Sequence, residues 1–211
     1  MAALLAGFGK GKRVKSALLL LDLQNEMVDP AGKVGSHGLA AAAAANNVVA
    51  NAAAALAAAR KAGLPVAHVR LGFRPDYSDC ASVAPRIATL KANNAAVIGT
   101  WGTEFPAALT PRDGELVVTK QCVSPFNNTP LLGWLRDNGI QRLFFGGVAT
   151  PLVVEMTARV ADDAGFAPVV LADLCAAPSA EMHAYSLERV IPMFGEVTTS
   201  ADFARRIAQA A

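Results

Sequence analysis

The segment 144–159 most constrains what this chain can fold into. An apolar, aromatic run ends at the glycine pair 146–147, as expected of a strand that closes in a tight turn. Thr150 can then cap a helix whose first position is Pro151, where the missing N–H costs nothing. Open α/β sheets bind ligands at such a strand-to-helix turn. Here the first helical turn, 151–154, carries only aliphatic side chains and proline, at a place where enzymes often put a nucleophile or an anion site.

Strand-like and helix-like patterns alternate along the rest of the chain. Continuous apolar runs are typical of strands that are covered on both faces of a parallel sheet. We expect six strands, at 16–22, 65–71, 115–120, 142–145, 168–172 and 196–199. We expect five helices, at 40–62, 129–138, 151–164, 181–190 and 201–210. This alternation predicts an α/β fold with three layers (α/β/α), a doubly wound, Rossmann-like parallel sheet with right-handed crossovers.

The domain organisation follows from length and from the segments between these elements. A chain of 211 residues is within the range of one domain, and we assign 16–211 to it and 1–15 to an N-terminal tail. Segment 23–38 is rich in glycine and polar residues and predicts a loop over the sheet. Segment 72–111 is long and polar, and its composition suggests surface excursions and short helices. Insertions of that length are often functional.

Composition and charge exclude several classes of partner. The net charge of +2 comes from 19 basic and 17 acidic residues without a basic stripe, so we expect neither a nucleic acid nor an anionic membrane surface as a partner. The apolar content is 53% but much of it is alanine, and no apolar run in the early chain is long enough to cross a bilayer. We expect a soluble protein that acts on a small molecule.

Cysteine and histidine spacing gives no support for a metal or a nucleotide cofactor. The cysteines lack a Cys-x-x-Cys pair, the histidines lack close pairing, and no Gly-x-Gly-x-x-Gly motif is present. The residues concerned are Cys80, Cys122, Cys175, His37, His68 and His183. We therefore expect no cofactor, no metal and a reducing, cytoplasmic location.

Two charged residues end different predicted strands. Asp22 closes the first strand and Lys120 the third, and the carboxyl ends of parallel strands meet at one edge of the sheet. A carboxylate beside an ammonium can shuttle a proton, and a structural salt bridge is an equally open reading. Gln24 could face the same edge and donate to a substrate oxygen.

Two further residues are candidates for the walls of a pocket. Cys122 follows Lys120 by two residues, and a nearby ammonium would favour its thiolate, although a buried, inert cysteine is the commoner case. Trp101 in the long polar segment could form an apolar wall over a ligand, or could anchor its loop by burying the ring.

Four segments, taken in order, resemble one known family. They are Leu-Leu-Leu-Leu-Asp-Leu-Gln-Asn at 18–25, Gly-Thr-Trp-Gly-Thr-Glu-Phe at 99–105, Val-Val-Thr-Lys-Gln-Cys-Val-Ser-Pro-Phe at 117–126 and Gly-Gly-Val-Ala-Thr at 146–150. They are similar to the isochorismatase-like (cysteine hydrolase) superfamily, which includes nicotinamidases, N-carbamoylsarcosine amidases, ureidoacrylate and biuret-type amidases, and isochorismatases. The resemblance extends from about residue 16 to residue 203.

The resemblance implies roles for the matching residues. In the family, a cysteine attacks a carbonyl carbon, an Asp takes its proton and a Lys supports both, which implies Asp22 as the base and Lys120 as the lysine. Backbone N–H groups at the turn form an oxyanion hole beside a cis peptide, which implies Val148, Ala149 and Thr150. The family also forms dimers and tetramers, which implies a homo-oligomer.

The nucleophile position is occupied by Val153. A valine side chain cannot form a covalent acyl intermediate, so the amidase mechanism of the family cannot run unchanged. Isochorismatases also lack the cysteine, with glycine in its place, and their Asp protonates a vinyl ether. Three interpretations stay open: a hydrolase of vinyl-ether or C–N bonds that uses Asp22 and Lys120 with water, a lapsed pseudoenzyme or binding protein, and a Cys-to-Val variant of an amidohydrolase.

Overall fold

One six-stranded sheet, in which every strand pair is parallel, forms the centre of the structure. The computed structural model describes residues 14–210. The strands are β1 (Ser16–Leu21), β2 (Val66–Leu71), β3 (Leu116–Lys120), β4 (Arg142–Gly147), β5 (Ala167–Leu171) and β6 (Glu196–Thr198). Their order, β3-β2-β1-β4-β5-β6, confirms the doubly wound sheet. The direction of winding reverses between β1 and β4, where such sheets form a ligand crevice.

Eight α-helices and several shorter turns are described around the sheet. The helices are α1 (Asn25–Val28), α2 (Leu39–Ala45), α3 (Val48–Lys61), α4 (Pro85–Ala92), α5 (Leu131–Asp137), α6 (Glu155–Asp163), α7 (Ala180–Tyr185) and α8 (Ser200–Ala210). Two π-helical turns are Thr150–Val154 and Ser186–Val190. The 3₁₀ turns are Gly35–His37, Trp101–Thr103, Ala107–Leu109, Ala172–Leu174 and Ile191–Met193.

Alternate residues of β1 serve two separate hydrophobic cores. Leu18 and Leu20 belong to the core formed with α3 and α8, whereas Leu19 and Leu21 belong to the core formed with α5 and α6. Because successive side chains of a strand point to opposite faces, a continuous apolar run is needed when both faces are covered. The three-layer α/β/α arrangement is therefore confirmed.

The N-terminal tail is described only in part. Residues 1–13 lie outside the described residues. The carbonyl of Lys15 accepts hydrogen bonds from the amides of Gln141 (2.9 Å) and Arg142 (3.2 Å). The last residue assigned to the tail thus already pairs with the chain that enters β4.

The predicted helix 40–62 is two helices, so that expectation was wrong in one respect. α2 and α3 meet at 62°, and Asn47 between them has a left-handed backbone with φ of 51°. Asparagine tolerates this conformation better than alanine does, so the break falls at the asparagine pair 46–47. No single helix in the described part of the chain is long and apolar enough to cross a bilayer; only this bent pair passes on length and composition.

Two other predicted helices begin or end differently. The expected helix 151–164 opens with the π-helical turn Thr150–Val154 before α6. Thr150 does not cap it, since the hydroxyl of Thr150 instead lies 2.7 Å from Nδ1 of His183. The expected helix 181–190 changes from α to π geometry after Tyr185. π turns inside helices are rare and occur frequently at functional sites.

Candidate active site

Asp22 and Lys120 meet at the carboxyl edge of the sheet. Asp22 follows β1, with its amide donating to the carbonyl of Val69 at 2.8 Å and a φ of 55°. Lys120 is the last residue of β3, and β2 lies between these two strands. The lysine side chain spans that intervening strand and places Nζ 2.8 Å from Oδ2 of Asp22.

This ion pair is buried and only partly satisfied. Asp22 is 5% exposed and Lys120 is 1% exposed, and Nζ also donates to the carbonyl of Cys122 at 3.0 Å. Oδ1 of Asp22 is buried and has no hydrogen-bond partner among residues 14–210. Burial raises the pKa of Asp22 above its ordinary value, and the attraction of Lys120 only partly opposes that effect.

The turn after β4 lies directly beside Asp22. A Cβ at Gly147 would overlap the carbonyl of Leu21, so only glycine lets β4 approach the end of β1 this closely. The peptide between Val148 and Ala149 is cis, as the family resemblance implied. Ala149 lines the cavity, and no hydrogen bond from its amide is found within residues 14–210.

The residues after the cis peptide are held from both sides. Thr150 is buried, and its amide donates to the carbonyl of Ala176 at 3.0 Å. Its hydroxyl pairs with His183 of α7, a half-buried side chain whose pKa is lowered by burial. Val153 is 2% exposed and presents only methyl groups.

A cavity of about 420 Å³ joins the ion pair to this turn. Seven of its lining residues come from the ends of β1 and β3 and from the turn after β4: Asp22, Lys120, Cys122, Val148, Ala149, Leu152 and Val153. The opposite walls come from the segment after β1 and from α4, and their side chains include Met27, Leu39, Ile87 and Leu90. The structure thus brings together most of the site residues that the sequence indicated.

Gln24 does not line this cavity, contrary to the expectation that it would face a substrate. Its Nε2 donates to the carbonyls of Leu71 (3.0 Å) and Gly102 (3.1 Å), and its Oε1 accepts from the amide of Leu71 at 2.7 Å. The residue is fully buried. Its amide is consumed in joining the loop after β1 to β2, because the backbone groups there need partners.

Trp101 does not form a wall of the cavity either. The residue is 47% exposed and lines a separate surface depression with Asn25 and Phe105. Asn25 Nδ2 donates to the carbonyl of Trp101 at 3.0 Å, which anchors the backbone of the turn and leaves the ring outside. Neither of the two readings of this tryptophan from sequence describes its position.

Cys122 lines the cavity, but its thiol does not engage the lysine. Lys120 bonds the backbone carbonyl of Cys122, whereas Sγ donates to the carbonyl of Ser124 at 3.3 Å. The thiol therefore has a neutral acceptor as its hydrogen-bond partner. A role for Cys122 in the reaction stays a prediction.

Sequence reasoning missed the residues that build the far walls. Glu26 is 3% exposed, and its carboxylate accepts from the amides of Lys33 (2.6 Å) and Ala96 (2.8 Å), so it ties the loop after β1 to the segment after α4. α4 lies in the segment 72–111, where short helices were expected without bounds. A charged residue between Asn25 and Met27 was the only signal for Glu26.

The described part of the chain contains no cluster of side chains suited to bind a metal ion. Within residues 14–210, no group of three or more His, Cys, Asp and Glu side chains could hold a metal ion.

Comparisons with known proteins identify the family of this chain. A family model described as Isochorismatase domain matches residues 16–202. Ureidoacrylate amidohydrolase RutB of Methylobacterium radiotolerans is 32% identical over 199 residues, which cover 88% of this chain and 77% of that protein.

Solved structures show the same fold. A cysteine hydrolase from Pseudomonas syringae pv. phaseolicola has a TM-score of 0.82 at 26% identity, over 95% of this chain and 96% of the other. N-carbamoylsarcosine amidase from Thermoplasma acidophilum has a TM-score of 0.70 at 26% identity, over 89% of this chain and 97% of the other. The chain belongs to the isochorismatase family of hydrolases.

Proposed function

We propose that this chain hydrolyses a small molecule with Asp22 as the general acid and base, Lys120 as its partner, and water in place of a covalent nucleophile. The observation that carries the proposal is the buried, unpartnered Oδ1 of Asp22, a residue that lines the cavity. A buried polar atom without a partner costs free energy, and a substrate or water molecule that bonds to Oδ1 would remove that cost.

The electrostatics of Asp22 support a role as proton donor. Its pKa is raised by burial, so the neutral acid persists to higher pH than for an exposed aspartate. Lys120 holds the other oxygen, Oδ2, at 2.8 Å and so fixes which oxygen faces the cavity. In this proposal the acid gives its proton to the substrate, water adds to the resulting electrophile, and the carboxylate takes a proton from that water.

The turn supplies a place for the substrate oxygen. The free amide of Ala149 lies beside the cis peptide, and a backbone N–H aimed at a developing negative charge is a strong stabiliser of a transition state. Within the proposed oxyanion turn of Val148, Ala149 and Thr150, the donor is Ala149, because the amides of Val148 and Thr150 donate to the carbonyls of Leu21 and Ala176. Val153 contributes an apolar surface to the cavity. It has no nucleophilic atom, so the attacking group in this proposal is water.

A second candidate is a binding protein or lapsed enzyme, and the side chain of Val153 is the observation that favours it. The residue lies in the cavity at the first turn of the helix, where the family places its thiol, and contributes no reactive atom. In that case, Asp22 and Lys120 would serve only to hold a ligand. A Cys-to-Val variant of an amidohydrolase would behave in the same way.

The relatives guide the choice of substrates for the test. The names of the matched proteins indicate ureidoacrylate and N-carbamoylsarcosine, to which we add isochorismate, nicotinamide and biuret. We expect turnover of at least one compound by the unmutated chain and a loss of about 100-fold or more in Asp22→Asn. Mass spectrometry during turnover should find no covalent adduct on the protein.

Val153→Cys separates the two candidates. Valine and cysteine are both small apolar side chains, so we expect the variant to fold. If the unmutated chain turns over nothing in the panel and Val153→Cys hydrolyses an amide, the water mechanism is wrong and the chain is a lapsed amidase. If the unmutated chain is active and Asp22→Asn is equally active, Asp22 has no part in the chemistry.

The assembly and the cellular compartment are also part of the proposal. Large apolar side chains are exposed on and next to α6 and α7, including Leu152, Met182 and Tyr185, and contact between subunits would cover them. We expect a dimer or tetramer by light scattering. The three cysteines are free thiols, which supports a reducing compartment such as the cytoplasm.

A further inference from the structure

The charges that line the cavity are distributed unevenly between its inner and outer parts. Asp22 and Lys120 are both buried and neutralise each other at the inner end. Lys33 and Arg86 also line the cavity, but both are exposed and therefore stand at its mouth. Neither side chain forms an ion pair with a carboxylate of residues 14–210. The mouth is thus cationic and uncompensated.

The two cationic side chains come from different segments that are fixed to each other. Lys33 lies in the loop after β1, and Arg86 lies in the first turn of α4. Buried Glu26 accepts from the amides of Lys33 and Ala96, and Nζ of Lys33 donates to the carbonyl of Asn94 at 2.6 Å. These bonds hold the loop that carries Lys33 against the segment that follows α4, the helix that carries Arg86.

The wall between the mouth and the ion pair is apolar. Ile87 and Leu90 of α4 face the cavity, and Leu152 lies on the opposite side in the turn after β4. Such walls bind an apolar or ring-shaped body by removing its surface from water. A charged group would be disfavoured along this wall, and an anion would be favoured at the mouth.

We infer that the ligand of this cavity is a small amphipathic carboxylic acid, whose apolar body lies along α4 and whose carboxylate pairs with Arg86 and Lys33 at the mouth. The inference rests on the proposed function for one point only, namely that the bond to be hydrolysed lies at the inner end beside Asp22. The guanidinium of Arg86 can hold a carboxylate through two parallel hydrogen bonds, and Lys33 keeps two N–H donors free beside its bond to Asn94.

A matched pair of ligands that cannot be hydrolysed tests this inference by titration calorimetry. 3-Phenylpropanoate carries the carboxylate, and 4-phenylbutan-2-one replaces one carboxylate oxygen with a methyl group of similar size. We expect the unmutated chain to bind the carboxylate about tenfold more tightly at low salt, and this preference to shrink as salt is added. Equal affinities, tighter binding of the ketone, or no measurable binding of either compound would overturn the inference.

Two variants assign the preference to Arg86. Arg86→Gln should reduce the affinity for 3-phenylpropanoate about five- to tenfold and leave that for the ketone within twofold. Lys91→Gln removes the same charge from the same helix at an exposed position outside the cavity, and should change neither affinity by more than twofold. Equal effects of both variants would mean a diffuse charge effect and contradict the assigned contact.

The result of the binding experiment does not depend on whether the proposed reaction occurs. It uses the unmutated Asp22 and requires no turnover, so the carboxylate preference can hold even if Asp22→Asn leaves hydrolysis unchanged. Conversely, turnover that depends on Asp22 together with equal binding of the two probes would retain the reaction and remove the substrate class.

Discussion

Two carboxylates in this chain, buried Asp22 and partly buried Glu115, are paired with cations, and their surroundings differ sharply. Asp22 receives one side-chain hydrogen bond, from Lys120, and leaves Oδ1 without a partner. Glu115 directly precedes β3 and receives three side-chain hydrogen bonds, from Nε and Nη2 of Arg60 and from Nε2 of His68. A fourth hydrogen bond comes from the backbone amide of Arg112, and all four measure 2.7 to 2.9 Å.

The two carboxyl groups shift in opposite directions for this reason. Burial raises the pKa of Glu115, but the hydrogen bonds from Arg60, Arg112 and His68 outweigh it and hold the pKa at about 2. Burial raises the pKa of Asp22, and a single lysine does not compensate. A fully bonded pair fixes one protonation state, whereas a partly bonded pair beside a cavity keeps a proton available. The first is expected of a structural contact and the second of a reacting group.

The largest expected effect is on the rate of Asp22→Asn. The amide keeps the shape of the side chain but can neither give nor take the proton, so we expect kcat to fall by about 10²- to 10⁴-fold. Steady-state kinetics on the best substrate of the panel measure this. Circular dichroism confirms that the variant is folded, and a rate within threefold of the unmutated chain would make Asp22–Lys120 a structural pair like its counterpart.

Glu115→Gln should show the reverse pattern. The substitution leaves Arg60 partly buried without its counter-charge, and we expect a loss of about 2 kcal/mol in the free energy of unfolding, below the usual cost of breaking a fully buried pair because Arg60 touches solvent. Urea unfolding measures this loss, and kcat should stay within threefold. A large loss of activity with unchanged stability would remove the distinction between the two pairs.

The two carboxylates also predict opposite dependences on pH. The pKa of Glu115 is depressed, so its contribution to stability is complete above pH 4.5 and is lost as the pH falls toward about 2. The pKa of Asp22 is raised, so the general acid is available at low pH and kcat falls as the pH rises through that value. Unfolding curves and rate profiles over pH 3 to 9 should separate, and Glu115→Gln should flatten only the acid limb of the stability curve.

The strand ends were predictable because few patterns compete with them. A continuous apolar run that closes in Asp22 or Lys120 has one simple reading in a parallel sheet, and parallel strands bring their carboxyl ends together. Their 2.8 Å contact follows from that topology and from the length of a lysine side chain. The doubly wound order follows from the alternation of strands and helices.

The walls of the site were harder to predict, because they depend on which backbone groups lack partners. Gln24 and Trp101 were assigned to the pocket by their positions along the chain. The amide of Gln24 instead donates to the carbonyls of Leu71 and Gly102, and the ring of Trp101 lies outside the cavity. Arg86 lies in a polar segment whose composition indicates short helices, but without clear periodicity neither the bounds of α4 nor the place of Arg86 at the cavity could be predicted from sequence. The π turn at Thr150 likewise depends on contacts with α7.

The smallest expected effect is that of Cys122→Ala. This variant tests whether the thiol of Cys122 takes part in the reaction together with the ion pair at the cavity. Lys120 bonds the backbone carbonyl of residue 122, and alanine keeps that carbonyl. The thiol donates to the carbonyl of Ser124 at 3.3 Å and makes two longer contacts with Asn127, so its removal costs a few weak hydrogen bonds and a small part of the cavity wall. We therefore expect kcat to change by less than about fivefold, because Asp22 remains as the proton donor. Steady-state kinetics measure kcat, and iodoacetamide labelling tests whether the thiol reacts.

A loss of activity of 100-fold or more, with alkylation of Cys122 inactivating the unmutated chain, would mean that this thiol replaces the nucleophile that Val153 lacks. The ion pair would then activate a sulfur atom instead of water, and its free Oδ1 would be the acceptor for the thiol proton.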